Sequence, residues 1–246
     1  MTTTPGHQKT YTKFSLPVRA IHGSLRIGDF WTNIPTLSFR AKCHLCDYPI
    51  ESLEHILTDC PNLATQTVWS LARHTWPPSL GVWKEPSYGE ILACGCLTPP
   101  GDPLDASPTT KGASRLRIIL LSESAHLIWV YRCNRAINGT LHRKNEIQTR
   151  WLHKITSRFD MDRRAALSPH CPLSLPKMKN TWQRFLEHNQ PLPDCWRTDH
   201  RLVQLPLLRT YVIFPFSAIT ADLHDARPPL PSSLVPLQLE YLTYIH

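Results

Sequence analysis

Three cysteines and a histidine fall within residues 43–60 in the order Cys43, Cys46, His55, Cys60, a C-x2-C-x8-H-x4-C spacing. Thiolates and a neutral imidazole are the ligands zinc prefers, at about 2.3 Å for sulfur and about 2.0 to 2.1 Å for nitrogen. The C-x2-C turn sets two thiolates on one ion. A short helix over residues 53–58, capped by Ser52, returns His55 and Cys60 to it. Four protein ligands close a tetrahedron and leave no open position, so the expected cofactor is one Zn2+ with a structural role and no catalytic one. His44 sits inside the turn and is a poorer ligand than His55. The four ligands give the ion a net negative charge, in a segment that is already acidic.

The other chemically capable residues are weaker. Cys94 and Cys96 lack a second pair, and Cys133, Cys171 and Cys195 have no regular histidine spacing. Glu123 and His126 stand at i, i+3 on an apolar helix, where a buried polar contact is the expected role. The sequence contains no Tyr/Phe-x-Asp-Asp motif and no adjacent aspartate pair to hold two catalytic Mg2+ ions, which excludes polymerisation by this chain. Neither a Gly-x-Ser-x-Gly elbow nor a phosphate loop is present. The chain reads as a non-enzyme.

Helices must position these groups. Between Cys60 and Pro77, Leu63, Trp69, Ala72 and Trp76 form an apolar stripe, with Pro61 at a first helical position and Asp59 as its cap. Residues 115–138 lack proline and glycine, are apolar on most sides and end at Asn138-Gly139, which predicts a buried central helix. Over 145–159, Ile147, Trp151, Leu152, Ile155 and Phe159 recur at helical spacing. Arg150, Lys154 and Arg158 step along the neighbouring face, and Arg143 and Lys144 precede them. These five cations either contact nucleic-acid phosphates or form a solvated face over the apolar stripe. A further helix over 177–189 carries Met178, Trp182, Phe185 and Leu186 on one side; Trp151 and Trp182 belong to core stripes and not to stacking platforms.

The fold class expected is mainly α, a small zinc-stapled helical module followed by a helical region and a proline-rich irregular tail. Its parts are a disordered leader at 1–13, the zinc module at 14–76, a proline-rich linker at 77–114, a helical region with a basic face at 115–200 and the tail at 201–246. A hydrophobic content of 41% permits a core, and 23 prolines against 9 glycines favour helices broken often. Lysine and arginine number 27 against 19 acidic residues, for a net charge of +8. The excess is uneven, +5 over 1–46, −5 over 47–114, +7 over 115–164 and +1 beyond, a distribution that suits a polyanionic partner. Residues 1–13 hold no apolar run, and the apolar stretch 202–220 is interrupted by Pro206, Arg209 and Pro215. The expectation is a protein of the nucleus or cytoplasm, neither secreted nor membrane-bound, with its cysteines as thiols or metal ligands.

In their order, IHGSLRIGDFWTNIP at 21–35, RAKCHLC at 40–46 and ESLEHILTDC at 51–60 resemble the zinc-binding segment that follows the reverse transcriptase and ribonuclease H regions of fungal non-LTR retrotransposon polyproteins. Trp69, SESAHLIWVYRCNRAING, RWLHKITSRFDMDR and TWQRFLEHNQPLP with Trp196 extend the resemblance over residues 14–196. It implies zinc on Cys43, Cys46, His55 and Cys60, and contact with RNA or DNA, without sequence specificity, during target-primed reverse transcription. It also implies a retrotransposon polymerase acting in trans. The chain departs from the full polyprotein in lacking the polymerase, and Pro193-Asp194 is not followed by the second acid of the endonuclease that some related elements carry. The reading is a non-catalytic nucleic-acid-binding remnant. The alternative is a zinc-stabilised structural or protein-interaction module.

Overall fold

In a computed structural model of the protein, the structure describes residues 19–20, 22–94, 107–168 and 173–186. The leader at 1–13, the sequence from 187 and the tail at 201–246 lie outside them, as do Cys96, Cys171 and Cys195. The described residues are mainly helical and contain no strand. In chain order the helices are α1 (Asp29–Thr32), α2 (Leu63–Thr75), α3 (Tyr88–Ala93), α4 (Pro108–Asn138), α5 (Lys144–Leu167) and α6 (Leu175–Leu186). A 3-10 helix, Pro35–Ala41, follows α1, and a π-helical turn, His55–Asp59, precedes α2. No described helix is long and apolar enough to cross a membrane.

The long helix α4 is the axis of the fold, packed against α2, α5 and α6 and against the π turn. Its ends are chemically marked. The Ser107 hydroxyl accepts the Thr110 N–H at 3.2 Å ahead of Pro108. At the other end Gly139 turns left-handed at φ 66°, and its N–H returns to the Arg135 carbonyl at 2.9 Å. The helix starts seven residues earlier than the apolar pattern predicts, because Thr109, Thr110 and Gly112 form a polar first turn and not a loop. Gly112 is required there, since a Cβ would collide with the Asn180 carbonyl of α6.

The apolar stripes meet in one core. Leu116, Leu120 and Ile128 of α4 are joined by Val68 and Ala72 of α2, Ile147, Trp151, Ile155 and Phe159 of α5, and Met178, Trp182 and Phe185 of α6. Trp151 and Trp182 are fully buried, as their register predicts, and each indole N–H is satisfied. Trp151 Nε1 donates to Ser124 Oγ at 2.9 Å, and Trp182 Nε1 donates to Asp162 Oδ2 at 2.8 Å. The second bond explains why α5 runs to Leu167, past the end of the apolar pattern at Phe159. Asp162 is buried, also accepts Arg115 at 2.7 Å, and ties α4, α5 and α6 together.

Two sequence-based boundaries differ from the structure. Leu53, Ile56 and Leu57 from the candidate metal-binding segment share one core with α2, α4 and α5, across the boundary expected between 14–76 and 115–200. Within the expected linker at 77–114, the described part is built onto the body. Ile91 of α3 is buried, the Arg117 guanidinium grips Glu90 at 2.5 Å, and it lies 4.8 Å from the Trp83 ring. Leu80, Trp83, Tyr88 and Leu92 pack partly buried against the core, while Val82 stays 91% exposed.

Candidate metal centre

The C-x2-C turn forms because the chain doubles back on itself. The Cys43 N–H donates to the Tyr48 carbonyl at 2.9 Å and the Glu51 N–H to the Ala41 carbonyl at 2.7 Å, closing a loop around Cys46. Asp47 takes the left-handed turn position at φ 55°, which aspartate tolerates better than most residues. Backbone N–H groups of Leu45 and Cys46 point at the Cys43 sulfur, and the Asn62 amide and backbone N–H at the Cys60 sulfur. Such donors offset the negative charge of a thiolate-rich site.

The second ligand pair depends on the π turn. In an α-helix residues five apart point about 140° away from each other round the axis. Here the Cys60 N–H reaches the His55 carbonyl at 2.7 Å, an i→i+5 bond that widens the turn and brings both side chains to one side. The predicted Ser52 cap is present, its hydroxyl accepting the His55 N–H at 3.0 Å. The widened turn sends carbonyls toward α2, where Thr65 Oγ1 donates to Ile56 at 3.2 Å and Trp69 Nε1 to Leu57 at 2.7 Å. The cap of α2 is Asn62, accepting the Thr65 N–H at 3.0 Å, and not the expected Asp59 before Pro61.

The four predicted ligands come together. Cys43 Sγ and Cys60 Sγ are 3.7 Å apart, Cys46 Sγ and Cys60 Sγ 3.9 Å, and Cys46 Sγ and His55 Nε2 3.2 Å. A tetrahedral zinc requires edges of about 3.8 Å between sulfurs and about 3.6 Å between sulfur and nitrogen. All four ligand atoms lie within 4.8 Å of one another, so about 1 Å of side-chain movement closes the tetrahedron. Cys43, His55 and Cys60 are buried and Cys46 is partly so. The Tyr48 ring stacks on the His55 imidazole at 4.4 Å and holds its plane. The Cys43 and Cys60 sulfurs are within hydrogen-bond contact of each other. The hydrogen bond from Cys60 pulls Cys43 far below the ordinary thiol range, while the same contact, with burial, pushes Cys60 up. The arrangement can hold a metal ion in a closed, Cys3His shell.

One residue that spacing does not mark anchors the site to the body. Glu51, 3% exposed, receives Arg132 of α4 through Nε at 3.0 Å and through the guanidinium terminus, with Arg135 at 3.4 Å. Gly28 packs against the same place: at φ 47°, any Cβ on it would collide with the Glu51 carbonyl.

The five basic residues are not grouped around the metal. They lie at and along the exposed side of α5, and two are engaged by acids of their own helix: Arg150 with Glu146 at 2.8 Å and Arg158 with Asp162 at 3.5 Å. Arg143 and Lys144 are exposed at the helix start, and Lys154 is half-buried. Among the other cysteines, Cys94 is buried, and burial pushes the Cys133 thiol up. No known family model, curated protein or solved structure matches the chain.

Proposed function

We propose that this chain is a non-catalytic nucleic-acid-binding module of non-LTR retrotransposon origin, in which one structural zinc holds the segment 43–60 against the helical body. The observation that carries the proposal is the near-tetrahedral Cys43, Cys46, His55, Cys60 set on a chain of net charge +8. Zinc supplies folding free energy here. Binding is to phosphates of RNA or DNA without base readout, and a retrotransposon polymerase in trans is the partner that the order of the motifs suggests.

The test is retention of labelled RNA and DNA as a function of salt, with the logarithm of affinity falling at a slope of about −0.7 per phosphate contact on single strands. Arg143, Lys144 and Lys154 are the residues to neutralise, the first two exposed at the start of α5 and the third half-buried along it. Replacing the three with glutamine flattens the slope by about two. Wild-type protein that retains no nucleic acid at low ionic strength overturns the proposal. The second reading, a zinc-stabilised structural or protein-interaction module, is favoured by one observation: the ion pairs of Arg150 with Glu146 and Arg158 with Asp162 reduce the positive charge that α5 offers a polyanion.

A further inference from the structure

The fold buries aromatic rings wherever its core can receive them, yet three stand in the open, and all belong to the segment that the metal centre organises. Phe30, Phe39 and Tyr48 are 44%, 52% and 50% exposed; every other aromatic side chain among the described residues is buried or half-buried. Leu45 and Ile50 of the same segment are exposed as well. Scattered apolar residues on a surface need no explanation, but a cluster marks a contact site.

The rings are strung together by cations. The Arg26 guanidinium lies 5.7 Å from the Phe30 ring, which meets Trp31 edge-on at 4.9 Å. Arg40 lies 5.4 Å from Trp31 and 5.8 Å from Phe39, whose ring is 6.4 Å from that of His44. Tyr48 continues the surface on the other side of the Cys43 turn, since its carbonyl closes that turn and its ring covers His55. Arg19, Arg26, Arg40 and Lys42 outnumber Asp29 and Asp47 over this stretch, and Lys42 occupies Asp47 at 3.2 Å.

We propose that this strip binds single-stranded nucleic acid, with unpaired bases stacking on Phe39, Tyr48 and Phe30 and phosphates received by Arg26 and Arg40. The inference rests on the nucleic-acid reading above and adds to it a location and a strand type. A duplex hides its base faces in its own stack, so an exposed ring is of use only to an unstacked base. The positive charge between the rings selects a polyanion over an apolar peptide or a second copy of the chain. Guanidinium groups laid against the rings present their N–H edges beside the stacking faces, where successive phosphates pass. The metal's part is to fix the distance between Phe39 and Tyr48, which flank the Cys43 turn.

The experiment measures fluorescence anisotropy of labelled oligouridylate, oligothymidylate and a duplex of the same length with the zinc-loaded full chain. Wild type is expected to prefer the single strands. Phe39→Leu with Tyr48→Leu, which keeps apolar volume and removes the π faces, lowers single-strand affinity at least about thirtyfold, the cost of two lost stacks, and leaves duplex affinity within about twofold. Phe39→Trp binds single strands at least as tightly as wild type. Zinc content and circular dichroism are read on each variant. Because Tyr48 covers a ligand, Phe39→Leu alone, whose ring neighbour His44 is not one of the four ligands, serves if the double variant loses metal; it is expected to cost about fivefold or more.

Equal affinity for single strands and duplex, with Phe39→Leu unchanged, overturns the proposal and leaves the wider reading resting on α5. Retention of no nucleic acid overturns both. A wild-type dimer in sedimentation that Phe39→Leu dissociates, with nucleic-acid binding untouched, assigns the strip to contact between copies and also overturns it.

Discussion

Residues 28–60 and the helical body hold their shape by different means. The body closes on Leu116, Leu120, Trp151, Ile155, Phe159, Met178 and Trp182, all fully or nearly fully buried on helices that can be recognised one at a time. The segment 28–60 sends Leu53, Ile56 and Leu57 into that core and leaves Phe30, Phe39, Leu45, Tyr48 and Ile50 outside. Its own geometry comes from polar contacts of short reach: the Cys43 turn, the i→i+5 bond of Cys60 and the close approach of Cys43, Cys46, His55 and Cys60, which could hold a metal ion. One region is folded mainly by apolar area, with the buried Asp162 as a charged tie between its helices; the other depends more on a few directed bonds.

The largest expected effect follows from removing a ligand. Structural zinc is worth about 10 to 16 kcal/mol in small zinc-bound folds, more than the whole stability of most domains. Cys43→Ser or Cys60→Ser should lose zinc and abolish amide protection over residues 28–60, while α4, α5 and α6 keep their helical circular dichroism and a cooperative melt. A colorimetric zinc assay and hydrogen exchange read the two regions separately. A variant whose helical body melts out as well makes the comparison false, because the body then depends on the metal; a variant that binds no metal yet keeps 28–60 protected makes it false from the other side.

Next in size is the joint between the regions. Glu51→Gln removes the charge that holds Arg132 and Arg135, both with side chains 14% exposed. Leaving partly buried guanidinium groups without their carboxylate costs about 3 kcal/mol, the lower end for a broken buried pair because the arginines can turn toward water. In urea the variant should melt in two steps, residues 28–60 before the helices, with zinc still bound at the start. A single transition at the wild-type midpoint would mean that the Leu53, Ile56 and Leu57 contacts couple the regions without help from Glu51.

What the sequence disclosed follows the same division. The helices α2, α5 and α6 were legible because Trp69, Trp151, Ile155, Trp182 and Phe185 repeat at the helical period, a local signal. The ligands and the Ser52 cap were legible because metal coordination imposes residue type and spacing within one turn. Glu51 was not, since its partners lie 81 and 84 residues away and nothing local distinguishes it from Glu54, which is exposed. The start of α4 was hidden by Gly112, a residue that argues for a loop until the close passage of Asn180 explains it. The resemblance that suggests nucleic acid adds an origin, but it could not single out Phe39 and Tyr48, whose exposure is a property of the folded surface.

The smallest effect tests whether burial, and not ion pairing as such, makes Glu51 matter. Asp160 on α5 has the same chemistry, with Arg163 at 2.7 Å and Arg164 on its other oxygen, but its side chain is 30% exposed and Arg164 is 70% exposed. The hydrogen bond from Arg163, with the charge of Arg164, holds its carboxyl below the ordinary range. A carboxylate whose folded value is lowered contributes stability above its unfolded value, about 3.9, and loses that contribution as the pH falls through the folded one. Water screens most of it, so Asp160→Asn should cost no more than about 0.5 kcal/mol at neutral pH. The gap between wild-type and variant melting curves should begin to narrow as the buffer is taken below about pH 3.9 and close only once the pH has passed through the lowered folded value. A loss at neutral pH as large as that of Glu51→Gln would show that the helical body, too, relies on directed charge contacts.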